Sequence, residues 1–349
     1  MNIKSLLALS SFLLPTLAVP QYASPSYPTI SNDSNTTNPQ TPNFSSQRLW
    51  NLTNRFLQNH MYPLNIAQSL SINSSLLSED ILGRVDATRD YAGRELNTEY
   101  LFGLFANIAL NPDAFTLLGY PINYTFTRFL GQGNVVSFAA VVEYKLPVTG
   151  TTIPQELDFW VTYNDKGEIS QYDGCVLIPF LHYFLFPLPP SLLLSFPTLV
   201  PTTNRKESNF RYLQWQLNST IATIAKLQNL STTTDLTPLL HAKLATSICE
   251  TATTFCNGTN LQYESQATCE DYLGKQTRFG EGWEWGMDTV ACRMIHQNMV
   301  PLRPDVHCEH IGPSGGGMCV DDRTYVGNLE EDYFVNTPFL APGLEGGVM

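Results

Sequence analysis

Three of the six histidines fall within residues 296–310, at His296, His307 and His310. The run Val306-His307-Cys308-Glu309-His310 sets two imidazoles beside a carboxylate, and Met299 and Met318 stand close by in sequence. Imidazole with thioether suits copper, whereas imidazole with carboxylate suits zinc or iron. The competing structural reading is that histidines in tight disulfide-rich loops hydrogen-bond the backbone. Paired Cys-x-x-Cys motifs of zinc modules are absent, and Cys292-Arg293-Met294-Ile295-His296 lacks the second cysteine of a haem attachment. His296, His307 and His310 are therefore candidate metal ligands, with no cofactor assigned.

Around them lie six cysteines, Cys249, Cys256, Cys269, Cys292, Cys308 and Cys319. In an oxidising compartment an even set this dense reads as three disulfides, for which 15 connectivities are open. Helical spacing over Met287 to Met299 puts Cys292 and His296 on one face. The rest of this region reads as loop-rich, and Gly312-Pro313-Ser314-Gly315-Gly316-Gly317 as a helix-free run that lets the backbone turn beside Cys319. It is not a phosphate loop, because no Lys-Ser/Thr follows. No Gly-x-Ser-x-Gly nucleophile elbow occurs either.

The N-terminus argues for that oxidising compartment. Met1-Asn2-Ile3-Lys4 precedes an apolar stretch from Leu6 to Leu17 and the small residues Thr16 and Ala18, so residues 1–18 read as a signal peptide. The stretch is too short for a bilayer span, which takes about 20 residues. Nine sequons follow, at Asn32, Asn35, Asn43, Asn51, Asn73, Asn123, Asn218, Asn229 and Asn257, and point to a glycosylating eukaryotic secretory route. Residues 19–46, rich in Ser, Thr, Asn and Pro, bury too little to offset ordering and read as a disordered linker. A net charge of −12 over 349 residues disfavours nucleic acid as a partner. An extracellular glycoprotein is the expectation.

Folded structure is expected from Gln47. Leu49, Leu52, Phe56 and His60 fall at helical spacing, and a second short helix is read over Leu76 to Ile81. Gly83 to Tyr91 alternates like a strand, Glu95 to Ile108 reads as an apolar helix, and strands follow over Thr116–Arg128, Val135–Lys145, Glu156–Tyr163 and Glu168–Asp173. Asn164-Asp165-Lys166-Gly167 has hairpin-turn chemistry. This order fits an α+β cone, a curved sheet wrapped over helices.

Residues 47–174 resemble the NTF2-like superfamily in its SnoaL-like branch. The resemblance is carried by Gly83-Arg84-Val85-Asp86, by Asn97-Thr98-Glu99-Tyr100-Leu101-Phe102-Gly103-Leu104-Phe105, and by the hairpin Phe159-Trp160-Val161-Thr162-Tyr163-Asn164-Asp165-Lys166-Gly167-Glu168-Ile169. It implies an apolar pocket at the open end of the sheet and an acid/base group within it. Asp86, Asp158 and Asp173 are the candidate catalytic carboxylates, since desolvation in such a pocket raises a carboxyl pKa towards neutrality. The bland alternative is that they are solvated strand and turn positions. No histidine accompanies Asp173, a departure from cyclase chemistry.

Residues 175–205 interrupt this texture. The segment is apolar and carries Pro179, Pro187, Pro189, Pro190 and Pro197, which disfavour a membrane helix. A Pro-rich insertion and a translated intron are the readings left open. Residues 206–248 read as a helical connector in which Phe210, Leu213, Leu217, Ile221 and Ile224 recur at helical spacing. Residues 249–325 form the Cys-rich domain and 326–349 a tail. The phrase Cys292-Arg293-Met294, with His307-Cys308-Glu309-His310-Ile311-Gly312-Pro313, is similar to a signature of uncharacterised secreted fungal proteins. Three functions follow: conversion or binding of a small apolar molecule in the cone, a non-catalytic extracellular interaction role, and metal-dependent redox chemistry at the histidines.

Overall fold

The computed structural model describes residues 42–177 and 236–331, with isolated positions at 222, 225–226, 333–334 and 339. The signal peptide and most of the expected linker lie outside the described residues. So do nearly all of the Pro-rich segment, most of the connector helix, and Asn32, Asn35, Asn218 and Asn229.

Helix α1 (Ser46–His60) starts where Ser45 caps it, its side chain accepting from the Arg48 amide, and buries Leu49, Phe56, Leu57 and His60. Helix α2 (Leu64–Ser71) buries the polar Asn65 and Ser69, so it leaves no apolar stripe to be read from sequence. The expected helix over 76–81 is instead the start of strand β1 (Leu77–Val85). An irregularity between Leu77 and Leu82 in its pairing with β6 breaks the alternation and brings the apolar residues to helix-like spacing. The expected 83–91 strand divides at a turn, where the Thr88 amide donates to the Val85 carbonyl, before β2 (Asp90–Ala92).

The apolar helix is continuous through α3 (Arg94–Thr98), a π-helical turn at Glu99–Gly103, and α4 (Leu104–Leu110). Strands β3 (Tyr120–Gln132), β4 (Val135–Lys145), β5 (Thr152–Tyr163) and β6 (Ile169–Leu177) complete a six-stranded sheet in the order β2-β1-β6-β5-β4-β3. Only β1 and β6 run parallel; the other neighbours are antiparallel. This is the expected α+β cone. In its core Phe138 stacks on Phe159 at 5.5 Å, and Tyr163 hydrogen-bonds Thr53 of α1 at 2.9 Å. Gly83 lets β1 pass against the helix, because a Cβ there would lie 2.3 Å from the Tyr172 ring and 2.4 Å from Asn97 Oδ1.

The C-terminal region is more helical than loop-rich: α5 (Thr237–Phe255), α6 (Gln266–Lys275), α7 (Val290–Gln297), α8 (Pro304–Ile311) and α9 (Tyr325–Glu330). Disulfides Cys249–Cys269, Cys256–Cys308 and Cys292–Cys319 select one of the open connectivities. The first ties α5 to α6 and the second α5 to α8. Arg293, fully buried, donates through Nε and Nη2 to the Gly312 carbonyl and through Nη1 to Asp288. Those bonds are a structural reason for the Cys292-Arg293-Met294 and Gly312 phrases. The glycine run is not wholly helix-free, since Gly315–Gly317 makes a 3₁₀ turn. No described helix is long and apolar enough to cross a membrane.

Candidate functional sites: an apolar cavity and a histidine cluster

Inside the cone is a cavity of about 110 Å³, walled by Phe56, Leu101, Leu104, Tyr144, Phe159 and Trp285 among others. Its concave walls come from α1, the π-helical stretch with α4, and the inner faces of the strands. Among the described residues, His60, in the last turn of α1, is the one imidazole lining it. His60 Nδ1 lies 2.7 Å from the Leu101 carbonyl. A carbonyl can only accept, so Nδ1 carries the proton and Nε2 the lone pair. That Nε2 is buried and has no hydrogen-bond partner among the described residues. Burial lowers the His60 pKa to about 4, against the opposing bond to Leu101, so the ring is neutral at pH 7. Thr88 and Tyr100, whose hydroxyls pair at 2.9 Å, also line the cavity.

The second site lies in the Cys-rich region. Thr289 caps α7 by accepting from the Cys292 amide, and Pro304 begins α8, where a missing N–H costs nothing. His296 projects from the last turn of α7; His307 and His310, three residues apart, share one face of α8. His310 Nδ1 lies 3.2 Å from His307 Nδ1 and 3.2 Å from His296 Nδ1. All three rings are buried. Burial, then the neighbouring imidazoles, hold His296 well below the usual histidine range and His310 at about 4. Cys292 and Cys319 lie close to His296, but as disulfide sulfurs they are not thiolate ligands.

Glu99 completes the cluster from the π-helical turn. It opens that turn, is 1% exposed, and places Oε2 3.2 Å from His307 Nε2 and Oε1 3.5 Å from Arg303 Nε. Neither oxygen has an aligned hydrogen-bond donor among the described residues. An open pocket of about 580 Å³ reaches Glu99, His310 and Met318 from a rim bearing Glu79, Arg94 and Arg303. The same short π-helical stretch thus turns Tyr100 and Leu101 to the cone cavity and Glu99 to the histidines. Such π-turns recur at functional sites.

Sequence reasoning grouped His296, His307 and His310, and the structure brings them together. It does not bring the three carboxylates together at the cavity. Asp158 lies between the cavity-lining Leu157 and Phe159, on the other face of β5, and pairs with Arg128 at 3.1 Å. Asp173 follows the core residue Tyr172 and receives both Arg84 Nε and Nη2, at 3.0 and 2.7 Å. Asp86 falls between the lining residues Val85 and Ala87 and is hydrogen-bonded by Tyr325. Two polar residues had been passed over: His60, noted only for helical spacing, and Glu99, quoted only within a motif. No local signal marks either, because each acquires its setting from a distant segment.

Two family models match the chain. The BfoA N-terminal domain matches residues 54–174 and the BfoA family C-terminal domain residues 210–322. Bifonsecin B biosynthesis cluster protein A of Aspergillus brasiliensis is 36% identical over 294 residues, covering 84% of this chain and 86% of the relative. Aurasperone B biosynthesis cluster protein A of Aspergillus niger is 36% identical over 294 residues, covering 84% of each. Among solved structures, a putative SnoaL-like polyketide cyclase from Jannaschia is matched at 11% identity and TM-score 0.26, over 37% of this chain and 85% of that one.

Proposed function

This chain belongs to the BfoA family, and from that premise we propose that its cone binds a small aromatic molecule of fungal secondary metabolism. The relatives carry the names of clusters that make bifonsecin B and aurasperone B, which supports a role in such a pathway. The observation that carries the reading is the Nε2 of His60, unpartnered among the described residues, in a mainly apolar cavity whose walls include Phe56, Phe105, Phe159 and Trp285. A buried acceptor left unsatisfied is costly, and a ligand hydroxyl donating to it would recover that cost. With its pKa near 4, His60 accepts a hydrogen bond at pH 7 far more readily than it removes a proton. Binding and positioning are therefore favoured over proton abstraction. Asp86, Asp158 and Asp173 remain a proposal for chemistry at the other face of the sheet.

We further propose that the chain is exported and glycosylated. The three disulfides support this, as does the exposure of Asn43, Asn51, Asn73, Asn123 and Asn257, every sequon asparagine among the described residues.

The test is titration of the full chain with a two-ring aromatic phenol and with its methyl ether, followed by tryptophan fluorescence, since Trp285 lines the cavity. Saturable binding of the phenol, weaker for the ether and weakened in H60F, is expected. Equal affinity for phenol and ether, or binding unaltered in both H60F and a cavity-filling L104W, would remove His60 and the cone from the reading.

A further inference from the structure

We propose that His296, His307 and His310 hold one divalent first-row transition ion through their Nδ1 atoms, with Glu99 orienting His307 from outside the ligand set. The spacing is the first argument. Nitrogens bound to a tetrahedral ion at 2.0–2.1 Å stand about 3.3 Å apart, and both Nδ1 separations from His310 are 3.2 Å.

Proton counting is the second. His310 Nδ1 faces two other Nδ1 atoms, and a neutral ring nitrogen either donates once or presents one lone pair. If it donates, one contact sets its N–H against a nitrogen it cannot serve. If it accepts, two donors share a single lone pair. One cation satisfies three lone pairs at once.

Glu99 supplies the third. Its Oε2 faces Nε2 of His307, the nitrogen pointing away from the other two rings. A carboxylate there favours the tautomer with the proton on Nε2 and the lone pair on Nδ1, the arrangement seen behind metal-bound histidines. The unaligned 3.2 Å contact would tighten as an ion draws the ring into position. Buried and without an aligned donor, Glu99 is the polar group the cluster otherwise leaves unexplained.

The glycine run fits the same site. Gly316 takes φ +55°, and a Cβ there would lie 2.6 Å from His310 Cδ2, so only glycine closes the turn over this ring. Access comes from the pocket, rimmed by Glu79, Arg94 and Arg303, that reaches His310 and Glu99, leaving a fourth coordination position for water or a substrate oxygen.

The experiment uses the full chain without a histidine tag, stripped by chelator and titrated with Zn²⁺ and with Co²⁺. One equivalent of ion per chain is expected, with the strong visible d–d absorption of tetrahedral cobalt. H310A should lose that band. E99Q should retain it with affinity lowered 10–100-fold, with an unchanged circular dichroism spectrum. Should H310A fail to fold, E99Q carries the test alone. Absence of stoichiometric uptake by the wild-type chain, a cobalt band that survives in folded H310A, or wild-type affinity in E99Q would overturn the proposal.

Discussion

The cone cavity and the histidine cluster share the helical stretch 94–110, and they are built by opposite means. In the cone, a sheet curves over α1 and α4, and a few polar groups, His60 among them, are set in a mainly aromatic and aliphatic wall. At the cluster the polar groups are the contents. Short helices α7 and α8 bring them together, held by disulfides and by the Arg293 clamp in addition to a second apolar core that includes Val290, Met294 and Ile311. The cone can tolerate variation in its ligand, since apolar walls are not directional. The cluster cannot tolerate movement of its frame, since three nitrogens must stay within a fraction of an ångström of one geometry.

The largest effect expected from this contrast is on stability. Replacing Cys256 and Cys308 together by serine opens a loop of 52 residues and should cost about 4 kcal/mol in chemical denaturation. The loss should be accompanied by loss of ion uptake while phenol binding survives in the molecules still folded. Parallel loss of both would show that the two sites are not independently supported.

The pH dependence sharpens the cone's side. The folded-state pKa of His60 lies below its unfolded value of 6.5, at about 4, so unfolded chains bind more protons between these values. Stability from this group is present above pH 6.5 and is lost as pH falls through about 4, by about 3 kcal/mol. Denaturation midpoints measured from pH 7 to pH 4 should fall more gently in H60Q than in the wild type. Equal slopes would show that water reaches the ring.

Smaller effects separate core from surface. Y163F removes the buried bond to Thr53 and should cost about 1 kcal/mol in urea denaturation, with no change in ion uptake. D158N acts on an exposed pair with Arg128 and should cost less than about 1 kcal/mol without altering phenol binding. A marked loss of binding in D158N would move the ligand to the other face of the sheet.

Much of the cone was legible because its information is local. Val135–Lys145 was read to its ends, and the Asn164–Gly167 turn from its chemistry, since alternation and turn residues report their own structure. Helix α2 and the start of β1 escaped for equally local reasons: one buries polar residues, the other contains an irregularity. Glu99 gave no such signal. Strands β3 to β6, a segment outside the described residues and helices α5, α6 and α7 intervene before its partners, Arg303 and His307.

By itself the sequence determined the residue inventory: six clustered cysteines, three clustered histidines, a signal-like N-terminus, and the periodicities of a cone. Those are properties of composition and near-neighbour spacing, which the chain carries whether folded or not. Only tertiary structure decided the disulfide pairing, which carboxylate meets a histidine, and that His60 rather than an aspartate faces the cavity. The reason is physical: a side chain's chemistry is set by what is packed within a few ångströms of it, and those neighbours come from distant parts of the chain.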